Sequence, residues 1–152
     1  MKQELVRQIV ARLKQQLSTM TEAAKAAHEA STGDQGKSEG KYDTQAIETS
    51  YLAGAQAEQS KTLAHSLHVF ENLVLDDFPP DAEIGPGALV ETELNGEMSY
   101  FLLTPCAGGI SLEYDSGDLV TLSPDAPLYQ ELLGCQAGDL LEESGMMLLE
   151  VC

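Results

Sequence analysis

Two long amphipathic segments of this chain are separated by residues 33–42, which read Gly33-Asp34-Gln35-Gly36-Lys37-Ser38-Glu39-Gly40-Lys41-Tyr42. The segment before them, Lys2 to Ala30, contains no Gly or Pro, and its apolar residues recur every three or four positions. This spacing predicts one long α-helix with a single apolar face. A helix of that length extends about 40 Å, at about 1.5 Å per residue. We therefore expect residues 33–42, called the acidic tip below, to lie at the far end of a helical rod.

A second helix is predicted from Asp43 or Thr44, both suitable N-cap residues, to about Val74. Its apolar stripe consists of Ile47, Tyr51, Ala55, Leu63, Leu67, Phe70 and Val74. Two helices of similar length joined by a short polar turn predict an antiparallel coiled-coil hairpin over residues 1–75. Gly54 inside the second helix costs roughly 1 kcal/mol against Ala, and it indicates close packing or a local bend.

The periodicity changes from helical to alternating after a linker at 76–83, in which two prolines stop the helix. Leu89–Leu94 and Met98–Leu103 flank Asn95-Gly96, a strong β-hairpin signal. Further strands are predicted near Gly109–Leu112, Leu119–Leu122, Leu140–Glu142 and Met146–Val151, and a short helix at Pro127–Leu133, ended by Gly134. The sequence thus predicts an α+β protein, with a helical hairpin followed by a small strand-rich domain at 84–152.

Charge is distributed unevenly along the chain, which has a net charge of −17. All eight Lys and Arg residues lie at or before Lys61, so residues 62–152 carry acidic charge alone. Such a region repels nucleic-acid phosphate, so we expect no independent DNA binding and a basic protein surface as partner. The alternative is a surface kept soluble by its charge.

Cellular location is predicted from apolar runs and the N-terminus. No run approaches the roughly 20 apolar residues of a membrane span, and the N-terminal segment lacks the apolar centre of a signal peptide. We expect a cytoplasmic protein without membrane contact.

Cysteine and histidine spacing favours neither a disulfide framework nor a zinc site. Cys106, Cys135 and Cys152 are odd in number and widely spaced, and His65 and His68 have no third ligand nearby. The sequence also lacks a nucleophile–base motif and a phosphate-binding loop that follows a strand. No catalytic site of the chain's own is predicted.

The acidic tip has two interpretations. Asp34 and Glu39 supply hard oxygen ligands of the kind that Mg²⁺ prefers, but two carboxylates alone make a weak site. In the first interpretation they complete a metal site inside another molecule, while Lys37 and Lys41 attract a phosphate backbone or an acidic wall. In the second, the tip is a charged polar turn without a binding role.

A set of motifs occurs in a definite order along the chain. The first group follows the long helix and comprises Gly33-Asp34, Lys37, Glu39, Tyr42 and Gly54. The second group lies in the C-terminal region and comprises Ile84-Gly85-Pro86-Gly87-Ala88-Leu89-Val90, Ser123-Pro124, Leu132-Leu133-Gly134 and Gly138-Asp139. The ordered set resembles the Gre family of bacterial transcription elongation, or transcript-cleavage, factors, whose C-terminal domain is FKBP-like.

This resemblance implies a protein that inserts its coiled coil into the secondary channel of bacterial RNA polymerase and stimulates cleavage of backtracked RNA by the polymerase. Asp34 and Glu39 would assist that reaction by helping to hold the second Mg²⁺ ion of the polymerase active site. The metal is then shared in the complex, and the chain alone has no cofactor and is no enzyme. Lys37, Lys41 and Tyr42 would contact the channel wall or the nascent RNA 3′ end, Tyr42 equally being compatible with a plug between the helix ends.

Two further functions stay open at this stage. The segment from Gly33 to Tyr42 is one residue longer than the usual family tip, which leaves a non-cleaving regulator or inhibitor in the same channel as an alternative. The FKBP-like resemblance also suggests a second alternative, the function of a prolyl isomerase or chaperone. With no Trp and three Phe in the chain, an aromatic proline pocket is difficult to build.

Overall fold

The computed structural model describes residues 2–32 and 57–152, without the side chains of Ala24 and of 27–32. The acidic tip, the predicted N-cap at Asp43 or Thr44 and Gly54 all lie outside the described residues. The chain divides into two compact units, one formed by Met1–Gln8 with Leu73–Cys152 and the other by Ile9–Asn72. We call them the sheet unit and the helical unit. The linker and domain boundaries at 76–83 and 84 stay predictions.

The predicted N-terminal helix is confirmed as α1, which runs over Lys2–Thr32. Its buried side chains recur about once per turn on one face and are Lys2, Leu5, Val6, Ile9 and Leu13. A segment free of Gly and Pro and rich in Gln, Leu, Lys and Ala loses little side-chain entropy in a helix, which explains its length.

The second helix, α2, is described over 57–71. Lys14 Nζ of α1 lies 3.8 Å from Glu71 Oε1, so the last turn of α2 lies beside the first half of α1, as an antiparallel hairpin requires. The helix ends before the predicted Val74. Asn72 Nδ2 donates to the carbonyl oxygen of His68 at 2.8 Å, and this bond satisfies one of the carbonyls that a helix end leaves without an intrahelical partner.

The sheet unit contains a six-stranded mixed sheet with the strand order β3-β4-β2-β1-β6-β5. The strands are β1 Leu89–Leu94, β2 Glu97–Leu103, β3 Ser111–Tyr114, β4 Gly117–Leu122, β5 Leu140–Leu141 and β6 Met146–Val151. The β2–β4 pair is parallel and the other neighbouring pairs are antiparallel. The Asn95-Gly96 hairpin is confirmed, since both residues have the positive φ (53° and 83°) that a two-residue type I′ turn requires.

The short helix α3, Pro127–Leu132, packs against this sheet and was predicted to within one residue. Pro127 lies in its first turn, and Gly134 follows it with a φ of 83°, a conformation that glycine adopts without steric cost. The core that joins α3 to the sheet includes Tyr129, Leu132, Val90, Leu103 and Leu148. The fold is therefore α+β, a long N-terminal helix followed by a mixed-sheet region. No helix within 2–32 or 57–152 is long and apolar enough to cross a bilayer.

Candidate functional site

The acidic tip holds all five of the site residues that were predicted from the sequence. Asp34, Lys37, Glu39, Lys41 and Tyr42 lie between 33 and 56, outside the described residues. Their roles therefore stay predictions, and the described part of the chain is where other functional features can be located.

Two motifs of the C-terminal region, at 84–90 and 132–134, meet in space. Ile84 donates its backbone N–H to the carbonyl oxygen of Cys135 at 2.7 Å, and Gly134 donates to the carbonyl oxygen of Ile84 at 2.9 Å. The segment that leads into β1 is thus paired with the segment that follows α3. Gly138, from the last motif, donates to the carbonyl oxygen of Leu148 at 2.7 Å. Two of the motifs are therefore held together by backbone hydrogen bonds of Ile84, and the last motif is bonded to strand β6.

The turn before α3 presents an ordered carboxylate to solvent. Ser123 Oγ donates to Asp125 Oδ1 at 2.8 Å, and this hydrogen bond lowers the pKa of the fully exposed Asp125. Gln130 Nε2 donates to the carbonyl oxygen of Pro124 at 2.7 Å and so fixes the turn to α3. Gly108 faces it closely, because a Cβ at Gly108 would lie 2.6 Å from Ser123 Oγ.

Lys2 anchors the start of α1 within the sheet unit. Its buried ammonium group donates to the carbonyl oxygens of Asp76 at 2.6 Å and of Gly87 at 2.9 Å. It also lies 4.7 Å from the centre of the Phe78 ring, in cation–π contact. Desolvation lowers the pKa of Lys2, against the opposing fields of Cys152, Asp77 and Asp76. This anchor could not be predicted from the sequence, because a lysine at the start of an amphipathic helix is typically an exposed charge.

An open groove of about 450 Å³ lies beside this anchor, and we call it the linker groove. Its lining consists of Leu73, Val74, Leu75, Asp76, Asp77, Phe78, Pro79, Pro86, Gly87 and Pro105. Val74, assigned by the sequence to the apolar stripe of the second helix, is 77% exposed here, beyond the end of α2. The groove therefore combines an apolar surface with two exposed carboxylates.

A smaller cavity of about 180 Å³, the carboxylate pocket, lies on the sheet and is lined by Leu89, Glu91, Tyr100, Tyr114, Asp115, Glu150 and Cys152. Glu91 of β1 and Glu150 of β6 are directly opposite each other. Burial raises the pKa of Glu91, and Glu150, Asp115 and a side-chain hydrogen bond to Glu150 raise it further. Like charges in that position destabilise a sheet.

Tyrosines form one wall of the carboxylate pocket. Tyr100 packs edge-on against Tyr114 with ring centres 4.8 Å apart, and its hydroxyl donates to Asp115 Oδ2 at 3.2 Å.

Within 2–32 and 57–152, no cluster of three or more His, Cys, Asp or Glu side chains has the arrangement of a metal site. The three cysteines are half-buried free thiols.

No protein-family model matches this sequence, and no curated protein matches it. Among solved structures, a similar chain is GreA factor homolog 1 (Gfh1) of Thermus thermophilus, at 19% sequence identity and a TM-score of 0.37, with 94% of each chain covered. Gfh1 of Thermus aquaticus is similar at 18% identity and a TM-score of 0.35, over 93% of this chain and 92% of that one. What this chain does must therefore be inferred from its own residues.

Proposed function

We propose that this chain is a Gre-type transcription elongation factor, which binds bacterial RNA polymerase through the secondary channel and stimulates cleavage of backtracked RNA. The observation that supports this most is the order of the chain: a long N-terminal helix, the acidic tip, and a mixed-sheet region. In that region the Gre-like motifs at 84–90 and 132–134 are joined by the backbone hydrogen bonds of Ile84. A six-stranded sheet with one short helix on it also fits an FKBP-like domain.

The proposed chemistry belongs to the polymerase, and the chain contributes carboxylates to it. Asp34 and Glu39 would help to hold the second Mg²⁺ ion of the polymerase active site, and that ion supplies activation of water for phosphodiester hydrolysis. Lys37, Lys41 and Tyr42 would contact the channel wall or the RNA 3′ end. The chain positions these groups and holds no active site of its own.

A cleavage assay on stalled, backtracked polymerase tests this function. We expect the wild-type chain to shorten the RNA from its 3′ end, and Asp34→Ala and Glu39→Ala each to reduce the rate at least about tenfold, as loss of a well-placed catalytic group does. Glu22→Ala, at an exposed position on α1, is the matched control and should leave the rate unchanged. Full stimulation by the Asp34→Ala, Glu39→Ala double variant would disprove the carboxylate mechanism.

A non-cleaving channel regulator is the second candidate, and the extra residue between Gly33 and Tyr42 favours it. A metal ligand displaced by about 1 Å loses much of its catalytic effect, whereas occupation of a channel tolerates such a shift. In the same assay this candidate predicts binding to the polymerase with unchanged or inhibited cleavage. Measuring binding and cleavage together therefore separates the two functions.

A further inference from the structure

The linker groove is preformed, because Lys2 holds the backbone of the segments that line it in place. The Lys2 ammonium group bonds the carbonyl oxygens of Asp76 and Gly87, so the two parts of the chain that line the groove share one donor. A Cβ at Gly87 would lie only 3.3 Å from Leu75 Cδ2, which shows how closely the segments pack. A surface fixed in this way has little conformational entropy left to lose on binding.

The lining of the groove includes several exposed apolar side chains. Val74 is the most exposed large apolar side chain in the described ranges, at 77%. Pro79, Pro86 and Pro105 are exposed as well, and proline rings keep their backbone φ fixed. A volume of about 450 Å³ is in the size range of pockets that bind ligands. A concave apolar surface of this size with a few polar groups at its edge is typical of binding sites.

The charge around the groove selects the class of occupant. Asp76 and Asp77 are exposed at its edge, and residues 62–152 contain no Lys or Arg. The Lys2 ammonium group is directed to backbone carbonyls beneath the segment. Phosphate groups and the acidic C-terminal region of a second copy are repelled by this field, whereas Lys or Arg is attracted.

We propose that the linker groove is a docking site for a polypeptide segment of a partner protein that carries Lys or Arg next to large apolar side chains. The apolar side chain lies against Val74, Phe78 and the prolines, and the basic group faces Asp76 and Asp77. This site is distinct from the acidic tip, so it holds whether or not the tip assists RNA cleavage. It gives the acidic sheet unit a defined contact point instead of a diffuse attraction for basic proteins.

Peptide titration of the full-length ¹⁵N-labelled protein tests the site at physiological salt. The probe is a peptide of Leu and Lys with Leu at helical spacing, compared with one in which Ser replaces Leu and one in which Glu replaces Lys. We expect saturable binding of the Leu/Lys peptide alone, with amide shifts concentrated at 73–79 and 86–87. Absence of saturable binding, or equal binding of the Ser/Lys peptide, would overturn the proposal, since the second result shows attraction by charge only.

Variants with matched controls locate the binding energy. Val74→Asp should weaken peptide binding by more than about tenfold, because an anchoring apolar contact is lost. Leu140→Asp is the control, at a side chain 53% exposed elsewhere in the unit, and should change the affinity by less than about twofold. The double variant Asp76→Asn, Asp77→Asn should weaken peptide binding several-fold. The double variant Glu142→Gln, Glu143→Gln removes the same amount of charge elsewhere and is its control. Equal effects of test and control variants would contradict the proposal. Concentration-dependent dimerisation that Val74→Asp abolishes would overturn it in favour of a second copy.

Discussion

Lys2 shows how a single charged residue acquires a structural role that its type does not suggest. Its ammonium group donates hydrogen bonds to two backbone carbonyls, those of Asp76 and Gly87, which lie far from Lys2 in the sequence. Lys2→Met keeps most of the side-chain stem but removes both hydrogen bonds and the cation–π interaction with Phe78. We expect the free energy of unfolding to fall by about 2 kcal/mol, since the buried carbonyl of Gly87 and the part-buried carbonyl of Asp76 lose their donor. Urea denaturation measures this change.

Arg7→Met is the matched control for Lys2→Met, because it also removes one positive charge from the start of α1. Arg7 Nη1 lies 3.4 Å from Glu4 Oε2, and both side chains are largely exposed. Exposed ion pairs contribute little, so the expected loss is below about 0.5 kcal/mol. An equal loss in the two variants would mean that helix charge, and not the two carbonyl contacts, accounts for the effect of Lys2.

Glu91 makes the stability of the sheet unit depend on pH. Burial, and then the facing Glu150, raise its pKa, so the folded protein keeps the Glu91 proton to higher pH than the unfolded chain does. At pH values above the pKa of Glu in the unfolded chain, about 4.3, the folded state therefore binds more protons than the unfolded state does. Stability therefore falls as pH rises from there until Glu91 is ionised in the folded protein as well.

Glu91→Gln removes this loss and keeps the shape of the side chain. We expect the free energy of unfolding at pH 7 to rise by about 0.5 kcal/mol, the size of a cross-strand like-charge repulsion. The gain should shrink as the pH is lowered toward 4. Glu93→Gln, at an exposed position of the same strand, is the control and should show no such trend. Thermal unfolding between pH 4 and 7 distinguishes these outcomes, and a pH-independent gain would contradict the assigned cause.

At the scale of elements, the contact of β2 with β4 depends on a residue without a side chain. A Cβ at Gly117, the first residue of β4, would lie 2.5 Å from the carbonyl oxygen of Met98 in β2. Gly117→Ala should therefore lower the free energy of unfolding by about 2 kcal/mol, a typical cost of overpacking. Gly85→Ala should change it by less than about 0.5 kcal/mol, because its Cβ would meet Phe78 at an ordinary 3.8 Å. Denaturant titration of both variants tests the difference.

The elements that were predicted well are those with local signals. Helix α1 follows from its spacing, the β1–β2 hairpin from Asn95-Gly96, and α3 from Pro127 and Gly134, since each signal acts within a few residues. The third strand was predicted at Gly109–Leu112 but lies at Ser111–Tyr114. Its turn uses Asp115 at a φ of 47°, which few non-glycine residues adopt. The strand predicted at Leu140–Glu142 is observed one residue shorter, as β5 at Leu140–Leu141.

Features that join distant segments were not predictable from periodicity. The parallel β2–β4 pairing, the opposition of Glu91 and Glu150 and the linker groove all depend on register and packing between segments far apart in the chain. Val74 illustrates the limit: its spacing fits the helical stripe, yet the helix ends at 71 and leaves it exposed. A local pattern identifies an apolar residue but not the surface against which it packs.

At the scale of the whole molecule, charge asymmetry is the property that bears most directly on partners. Residues 62–152 carry no Lys or Arg, whereas the first 61 residues contain all eight basic residues. A negatively charged region accelerates encounter with a positively charged surface, and it repels nucleic acid. With RNA polymerase as the proposed partner, the C-terminal region should be attracted to a basic part of that enzyme's protein surface.

Association kinetics with core RNA polymerase test this attraction. We expect the association rate constant to fall by about tenfold as NaCl rises from roughly 50 to 500 mM, while the dissociation rate changes little, because salt screens approach more than it disturbs close contacts. A variant with four exposed acids neutralised should show a weaker salt dependence, and its changes are Glu113→Gln, Asp118→Asn, Glu142→Gln and Glu143→Gln. Surface plasmon resonance at several salt concentrations measures both rates. A salt-independent association rate would mean that apolar contact, such as that at the linker groove, controls encounter without electrostatic steering.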